Sequence, residues 1–267
     1  MRRSLAIALP LLTAAIVIAF LARHWLPPLA SVEGIYFDHQ FHFTLAVVGA
    51  IFILAQCALA FAVARGRAAN RPFHQFSERR SELLWICFVL GILVVLAVTG
   101  TSALARSRNY AEHDTIHIEV TGLQFQWYFR YPGADGAFGE TKPSLIDASV
   151  GNPLGLDATD VYAHDDIVSA YAVVPIGRTI DVSLRAQDVI HSFYVPAFRI
   201  KQDAVPGLNP HVRFTPDHLG SYDVTCAELC GLGHYRMFSR IEVVSEPDYY
   251  RWLAQRAPSA SSPGGGE

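Results

Sequence analysis

Sulfur is scarce in this chain of 267 residues, which has four cysteines and two methionines. None of the cysteines sits in a Cys-x-x-Cys-His run, so the chain carries no covalently attached haem. The order usual for a zinc site, a Cys-x2-4-Cys pair followed by a His-x3-5-His pair, is missing as well, since only His234 follows Cys230. Its apolar runs offer no paired histidines of the kind that hold haem between membrane helices. Lys and Arg are absent from residues 27–40, and no clear Ala-x-Ala cleavage site follows Ala22.

What is abundant is apolar side chain: 51% of residues are hydrophobic, and the excess lies in the first hundred. Runs at 5–21, 43–64 and 83–104 predict helices near 4–23, 42–64 and 82–104. About 20 residues rising about 1.5 Å each cross a hydrocarbon core of about 30 Å, so each run is a candidate span. Arg2 and Arg3 precede the first run, and Arg65, Arg67, Arg71, Arg79 and Arg80 join the second to the third. That bias keeps both basic segments cytoplasmic and puts everything after about residue 104 outside, with Arg106 and Arg108 weakening the asymmetry slightly. A cleaved signal peptide is the alternative for the first run, but its apolar part is long for one, so an uncleaved helix is expected; cleavage would leave two spans and the same orientation. Residues 1–108 are thus expected to form a membrane anchor.

Past Arg108 the pattern changes period. Residues 116–120, 179–184 and 240–244 alternate polar and apolar between Gly and Pro turns, the signature of short strands in an all-β sandwich over 109–256. Residues 133–166, rich in Gly, Asp and Pro, are expected to be a surface insertion. Ser245 should cap a short helix through about Arg256, with Pro247 in its first turn. The tail 257–267 is small and polar, composed as a disordered segment is.

Chemistry concentrates in one loop. Cys226, Cys230, His234 and Met237 stand within a dozen residues, and His191 lies upstream in Asp188-Val189-Ile190-His191-Ser192-Phe193. Thiolate and thioether select soft metals and imidazole suits copper or zinc, so the set points to copper, with Met237 weighing against zinc. The plainer alternatives are a Cys226–Cys230 disulfide in an oxidising compartment, and a four-donor zinc site. A disulfide explains neither His191 nor His234 nor Met237. Cys57 and Cys87 lie in apolar runs and read as inert packing.

With two N-terminal spans, Cys-x-Glu-x-Cys-x-x-x-His-x-x-Met, the upstream Asp-Val-Ile-His-Ser-Phe and the intervening 201–207, the chain resembles subunit II of cytochrome c oxidase over roughly residues 41–256. The resemblance implies a cupredoxin-like Greek-key sandwich facing the periplasm, anchored by three helices or by two after signal cleavage. It also implies a binuclear copper centre, CuA: Cys226 and Cys230 bridge the metals, His191 and His234 take one each, and Met237 and the Glu228 carbonyl are weak outer ligands. The Glu228 side chain is implied to reach a magnesium shared with subunit I, a role a hard cation favours, although a solvated carboxylate explains it too.

Two further roles follow from the resemblance. In Gly122-Leu123-Gln124-Phe125-Gln126-Trp127-Tyr128 the family has a tryptophan through which electrons enter, and Phe125 or Trp127 is the counterpart here; half-buried strand packing is the ordinary explanation. Glu82 stands where the family's Glu-x-x-Trp marks a proton-pathway mouth, yet Ser81 and Glu82 are also what a helix N-terminus favours.

The expected function is therefore the electron-entry subunit of a proton-translocating haem-copper cytochrome c oxidase in a bacterial inner membrane. Cytochrome c would be donor, subunit I the site of oxygen reduction to water, and subunit III a further partner, with no nucleic acid involved. A CuA subunit of a nitric oxide reductase and a membrane-tethered copper-binding protein without electron transfer are the alternatives. A quinol oxidase subunit would lack the Cys and His ligands. The acidic Asp135, Glu140, Asp157, Asp160, Asp165 and Asp166 of the insertion either steer a basic donor or simply solvate a loop.

Overall fold

The computed structural model describes residues 2–21, 25–65, 79–108 and 115–257; Arg67, Arg71 and the tail beyond 257 lie outside them. It divides into a helical unit and a β unit.

The helical unit contains α1 (Arg2–Leu21), α2 (Gly34–Arg65) and α3 (Arg79–Ser107). Gly34–Val63 and Arg79–Ser107 are long and apolar enough to cross a membrane. Among the described residues, most large apolar side chains of these helices are exposed, as a lipid solvent requires. Helix α2 starts at Gly34, ahead of the run that begins at Phe43. Residues 34–42 carry Asp38, His39 and His42, which hides the helix from a hydropathy count. Its start is fixed by Ser31, whose Oγ accepts the Gly34 amide proton at 3.2 Å in the manner of an N-cap.

The β unit is a two-sheet sandwich. One sheet runs β3 (Ile167–Ser169), β2 (Gln126–Tyr131), β1 (Thr115–Leu123), β5 (Thr179–Ala186), β8 (His211–Phe214). The other runs β4 (Ala172–Pro175), β10 (Phe238–Val244), β9 (Gly220–Cys226), β6 (His191–Val195), β7 (Ile200–Ala204). The chain passes back and forth between sheets, which makes the β1–β5 and β4–β10 pairs parallel and the rest antiparallel. The alternating stretches foreseen at 116–120, 179–184 and 240–244 fall in β1, β5 and β10. Their inward residues, with Trp127, Phe129, Phe193 and Val224, fill one core. Trp127 and Phe193 meet edge to face with centroids 5.5 Å apart. After β10, Ser245 accepts the Asp248 amide proton and caps α4 (Glu246–Arg256).

Alternation is incomplete in β1, where Glu119 and Thr121 are buried beside Ile118 and Val120. The insertion covers that outer face: buried Arg130 bonds Asp166, lies 3.3 Å from Glu119 and donates to Gly139 O at 2.6 Å. Inside the insertion, each of Asp135, Asp157, Asp160 and Asp165 accepts hydrogen bonds from neighbouring amides. These carboxylates shape the loop while keeping their charge.

Residues 26–34 also belong to the β unit. Val32 donates to Thr215 O at 3.0 Å, Ser31 Oγ to Phe198 O at 2.9 Å, and the Glu33 carboxylate accepts from Thr215 N at 2.8 Å. Nothing in the composition of this stretch foretold that.

Candidate metal centre

Three neighbouring strands deliver the donors. Phe193 of β6 pairs with Cys226 of β9, and Thr225 pairs with Phe238 of β10. His191 opens β6, Cys226 closes β9 and Met237 precedes β10, so all three reach the same end of one sheet. Backbone bonds from Ala227 to Ser192 O, 3.0 Å, and from Cys226 to Met237 O, 3.3 Å, fix that end. The loop then returns through a 3₁₀ turn at His234–Arg236.

The side chains converge. Cys226 and Cys230 are free thiols with sulfurs 3.8 Å apart. Ligand atoms of His191, Cys226 and Cys230 all lie within 4.8 Å of one another. His234 Nδ1 stands 3.7 Å from Cys230 Sγ, Met237 Sδ 3.9 Å from the same sulfur, and the Glu228 carbonyl 3.2 Å from Cys226 Sγ. Every expected copper ligand is thus in one cluster. Burial, then the adjacent Cys226 thiol, pushes the Cys230 thiol up to about 11; a bound metal would have to displace that proton to gain a thiolate.

His191 supplies the test of fit. Its ring is completely buried, and Nε2 lies 2.8 Å from Asp188 Oδ1. A carboxylate only accepts, so Nε2 carries the proton and Nδ1 keeps a lone pair. That Nδ1 is buried without any hydrogen-bond partner. An orphaned imidazole nitrogen aimed among two thiols is what a soft metal ligand looks like before the metal arrives.

Asp188 reaches further than the ring. It accepts the Val189 amide at 2.7 Å and the Gln124 amide at 2.8 Å, while the Gln124 side chain donates to Cys230 O at 2.6 Å. Burial would raise the Asp188 carboxyl, but bonds from His191, Gln124 and Val189 outweigh it and hold the group below its usual range. Both metal-bearing loops are therefore tied to the β1–β2 turn. A single sequence cannot reveal this link, because Gln124 and Cys230 are far apart along the chain.

Close approach explains two glycines. A Cβ on Gly122 would lie 2.8 Å from the His191 ring, and one on Gly233 would lie 2.3 Å from the Phe125 ring. The same contacts separate the two aromatic candidates. Trp127 is 0% exposed, packed edge-on to His191 with centroids 5.9 Å apart, so it presents nothing to a partner; Phe125 is 36% exposed and lies on the metal loop. On that same loop Leu229, Leu232 and Tyr235 are exposed, Leu232 to 98%. Sequence reasoning passed over this apolar rim, although leucines at the tip of a metal loop were a signal for it.

Glu228 is exposed and its side chain has no metal-ligating partner within the described cluster. Glu82 lies in the first turn of α3, exposed.

Residues 116–244 match the family model for the cytochrome c oxidase subunit II periplasmic domain. Over 248 residues the chain is 34% identical to an alternative cytochrome c oxidase subunit 2 of Bradyrhizobium diazoefficiens, covering 90% of this chain and 87% of that one. A cytochrome c oxidase subunit 2 of Cereibacter sphaeroides is 31% identical over 80% of this chain and 73% of its own length. Among solved structures, the periplasmic domain of subunit II of cytochrome oxidase of Bradyrhizobium japonicum is 28% identical, with a TM-score of 0.41, covering 55% of this chain and 96% of that one.

Proposed function

This chain belongs to the cytochrome c oxidase subunit II family, and from that premise we propose that it takes electrons singly from a periplasmic cytochrome c and delivers them to haem in subunit I, where oxygen is reduced to water. The observation that carries the reading is the meeting of two free thiols with the lone-pair nitrogen of His191 at one end of the sheet.

Six residues would hold a copper pair. Cys226 and Cys230 would hold it as thiolates, His191 and His234 through ring nitrogens, and Met237 sulfur and the Glu228 carbonyl would complete the donor set. When bound, such a pair supplies a one-electron centre whose bonds change little between oxidation states. The protein's share is rigidity: Asp188 fixes the tautomer and tilt of His191, Gln124 anchors the loop at Cys230, and the sandwich prevents the donors from relaxing.

Phe125 and the rim of Leu229, Leu232 and Tyr235 form the face on which cytochrome c would settle, with buried Trp127 supporting the His191 ring from behind. The Glu228 side chain, exposed beside the loop, is available to a magnesium at the boundary with subunit I. Glu82, at the first turn of α3, is the proposed mouth of a proton path. The membrane is the bacterial inner membrane, and subunit III completes the complex.

The test is copper stoichiometry together with electron paramagnetic resonance of the full chain. Two coppers per polypeptide and hyperfine splitting from two equivalent nuclei are expected. One copper per chain, or zinc alone, would refute the assignment; turnover with oxygen set against nitric oxide identifies the acceptor.

A further inference from the structure

A cavity of about 340 Å³ opens between the first turns of α2 and the last turns of α3. It has two chemically different halves. By position along the helices, Tyr36, His39, Gln40 and Arg106 line the end toward the start of α2 and the close of α3, and Phe43 and Val98 the end toward the apolar runs. The apolar run of α2 begins at Phe43 and that of α3 ends at Leu104. A hydrocarbon core takes up about 20 residues of helix, so the cavity straddles the boundary between acyl chains and headgroups, its polar half on the headgroup side.

Among the described residues, Tyr36, His39 and Arg106 have no hydrogen-bond or ion-pair partner. Arg106 does suit the C-terminal end of α3 electrostatically, but that role asks nothing of Tyr36 and His39 across the cavity. No Asp or Glu lines the site.

We infer that this cavity binds the glycerophosphate headgroup of an acidic phospholipid. The phosphate meets Arg106, Tyr36 and His39, and the first carbons of the acyl chains run along Phe43 and Val98. With no carboxylate in the lining, a headgroup bearing an ammonium finds no counter-charge, so a phosphatidylglycerol-type lipid is selected over phosphatidylcholine. A free phosphate ion would leave the apolar half unused. The inference is independent of the electron-entry reading, since it involves no residue of the metal centre.

The complete oxidase complex, taken into nanodiscs with equal phosphatidylglycerol and phosphatidylcholine, would be read by native mass spectrometry. Retention of phosphatidylglycerol is expected in the wild type and in Arg106→Lys. Arg106→Gln should retain about fivefold less, the effect of one cation at the headgroup level. Equal retention of both lipids by the wild-type complex would overturn the inference with no variant needed, as would undiminished retention in Arg106→Gln. A photo-crosslinker replacing Tyr36 should label phospholipid; labelling of the large subunit would mean that protein fills the cavity, and displacement of the lipid by inorganic phosphate would mean that a soluble anion does. Either would overturn it.

Discussion

Two of the buried polar clusters in the β unit are satisfied to different degrees. Around Arg130, Asp166 and Gly139 O accept from the guanidinium, Glu119 faces it at 3.3 Å, and Arg185 meets Glu119 from the far side at 2.9 Å. Every charge there has its counter-charge, with one oxygen of Asp166 left idle. Around the metal loop, His191 Nδ1 has no hydrogen-bond partner among the described residues, and two thiols and a thioether face one another. In the Arg130 cluster charge is matched by charge and the group braces the fold; in the metal loop an unpartnered lone pair faces soft sulfur donors, a set suited to a soft metal.

The contrast is broken most severely at Cys226. Cys226→Ser should abolish the two-copper signal and cytochrome c oxidation while the unfolding transition of the metal-free protein stays in place, since the sulfur contributes to the site and little to the sandwich. Arg130→Met should do the reverse. Removing one member of a buried ion network strands the others, here Asp166, at a cost of about 3–5 kcal/mol, read as a lower denaturation midpoint, while the folded fraction still binds copper with the wild-type spectrum. If Arg130→Met instead changed the hyperfine pattern, the two clusters would be one network and the comparison would fail.

Asp188→Asn sharpens the same contrast from inside the site. The residue binds no metal, but it holds the ring that does, and loss of such a partner lowers metal affinity by about 10–100-fold. An amide can donate to Nε2 and so permit the wrong tautomer, which would put a proton on Nδ1. Copper titration should therefore weaken with unchanged stoichiometry and an unchanged unfolding midpoint of the metal-free chain.

Much of the metal centre was legible in the sequence because its donors are local. Cys226, Cys230, His234 and Met237 share one loop, and only His191 had to be brought from elsewhere, which the β6–β9 pairing does. The strands were legible wherever one face meets the core and the other meets water. Legibility failed where a second layer covers the outer face, as at Glu119, which reads as a solvent residue and is buried by Arg130 and the insertion. It failed again at residues 26–34, whose bonds to Phe198 and Thr215 are long-range, and at the start of α2, where a helix continues past the membrane on polar side chains that hydropathy cannot count. Phe125 and Trp127 could not be told apart by type; only strand register decides which of two aromatics faces the core and which lies on the loop.

The smallest effect expected concerns the insertion. Bonds from Lys142 first, and then from Thr159, lower the Asp157 carboxyl from 3.8 to about 2. Because its folded value lies below the unfolded one, the stabilisation it provides is fully present above about pH 4 and disappears as pH falls through about 2. Other carboxylates titrate in the same window, so the informative quantity is a difference: the stability of wild type minus that of Asp157→Asn, followed by denaturant melts from pH 6 downward. That difference should be constant near neutrality and shrink on the acid side, while copper loading at neutral pH is the same in both proteins. A difference that grew on acidification would mean that Asp157 is strained in the fold, and the braced insertion would then resemble the metal loop more than the Arg130 cluster.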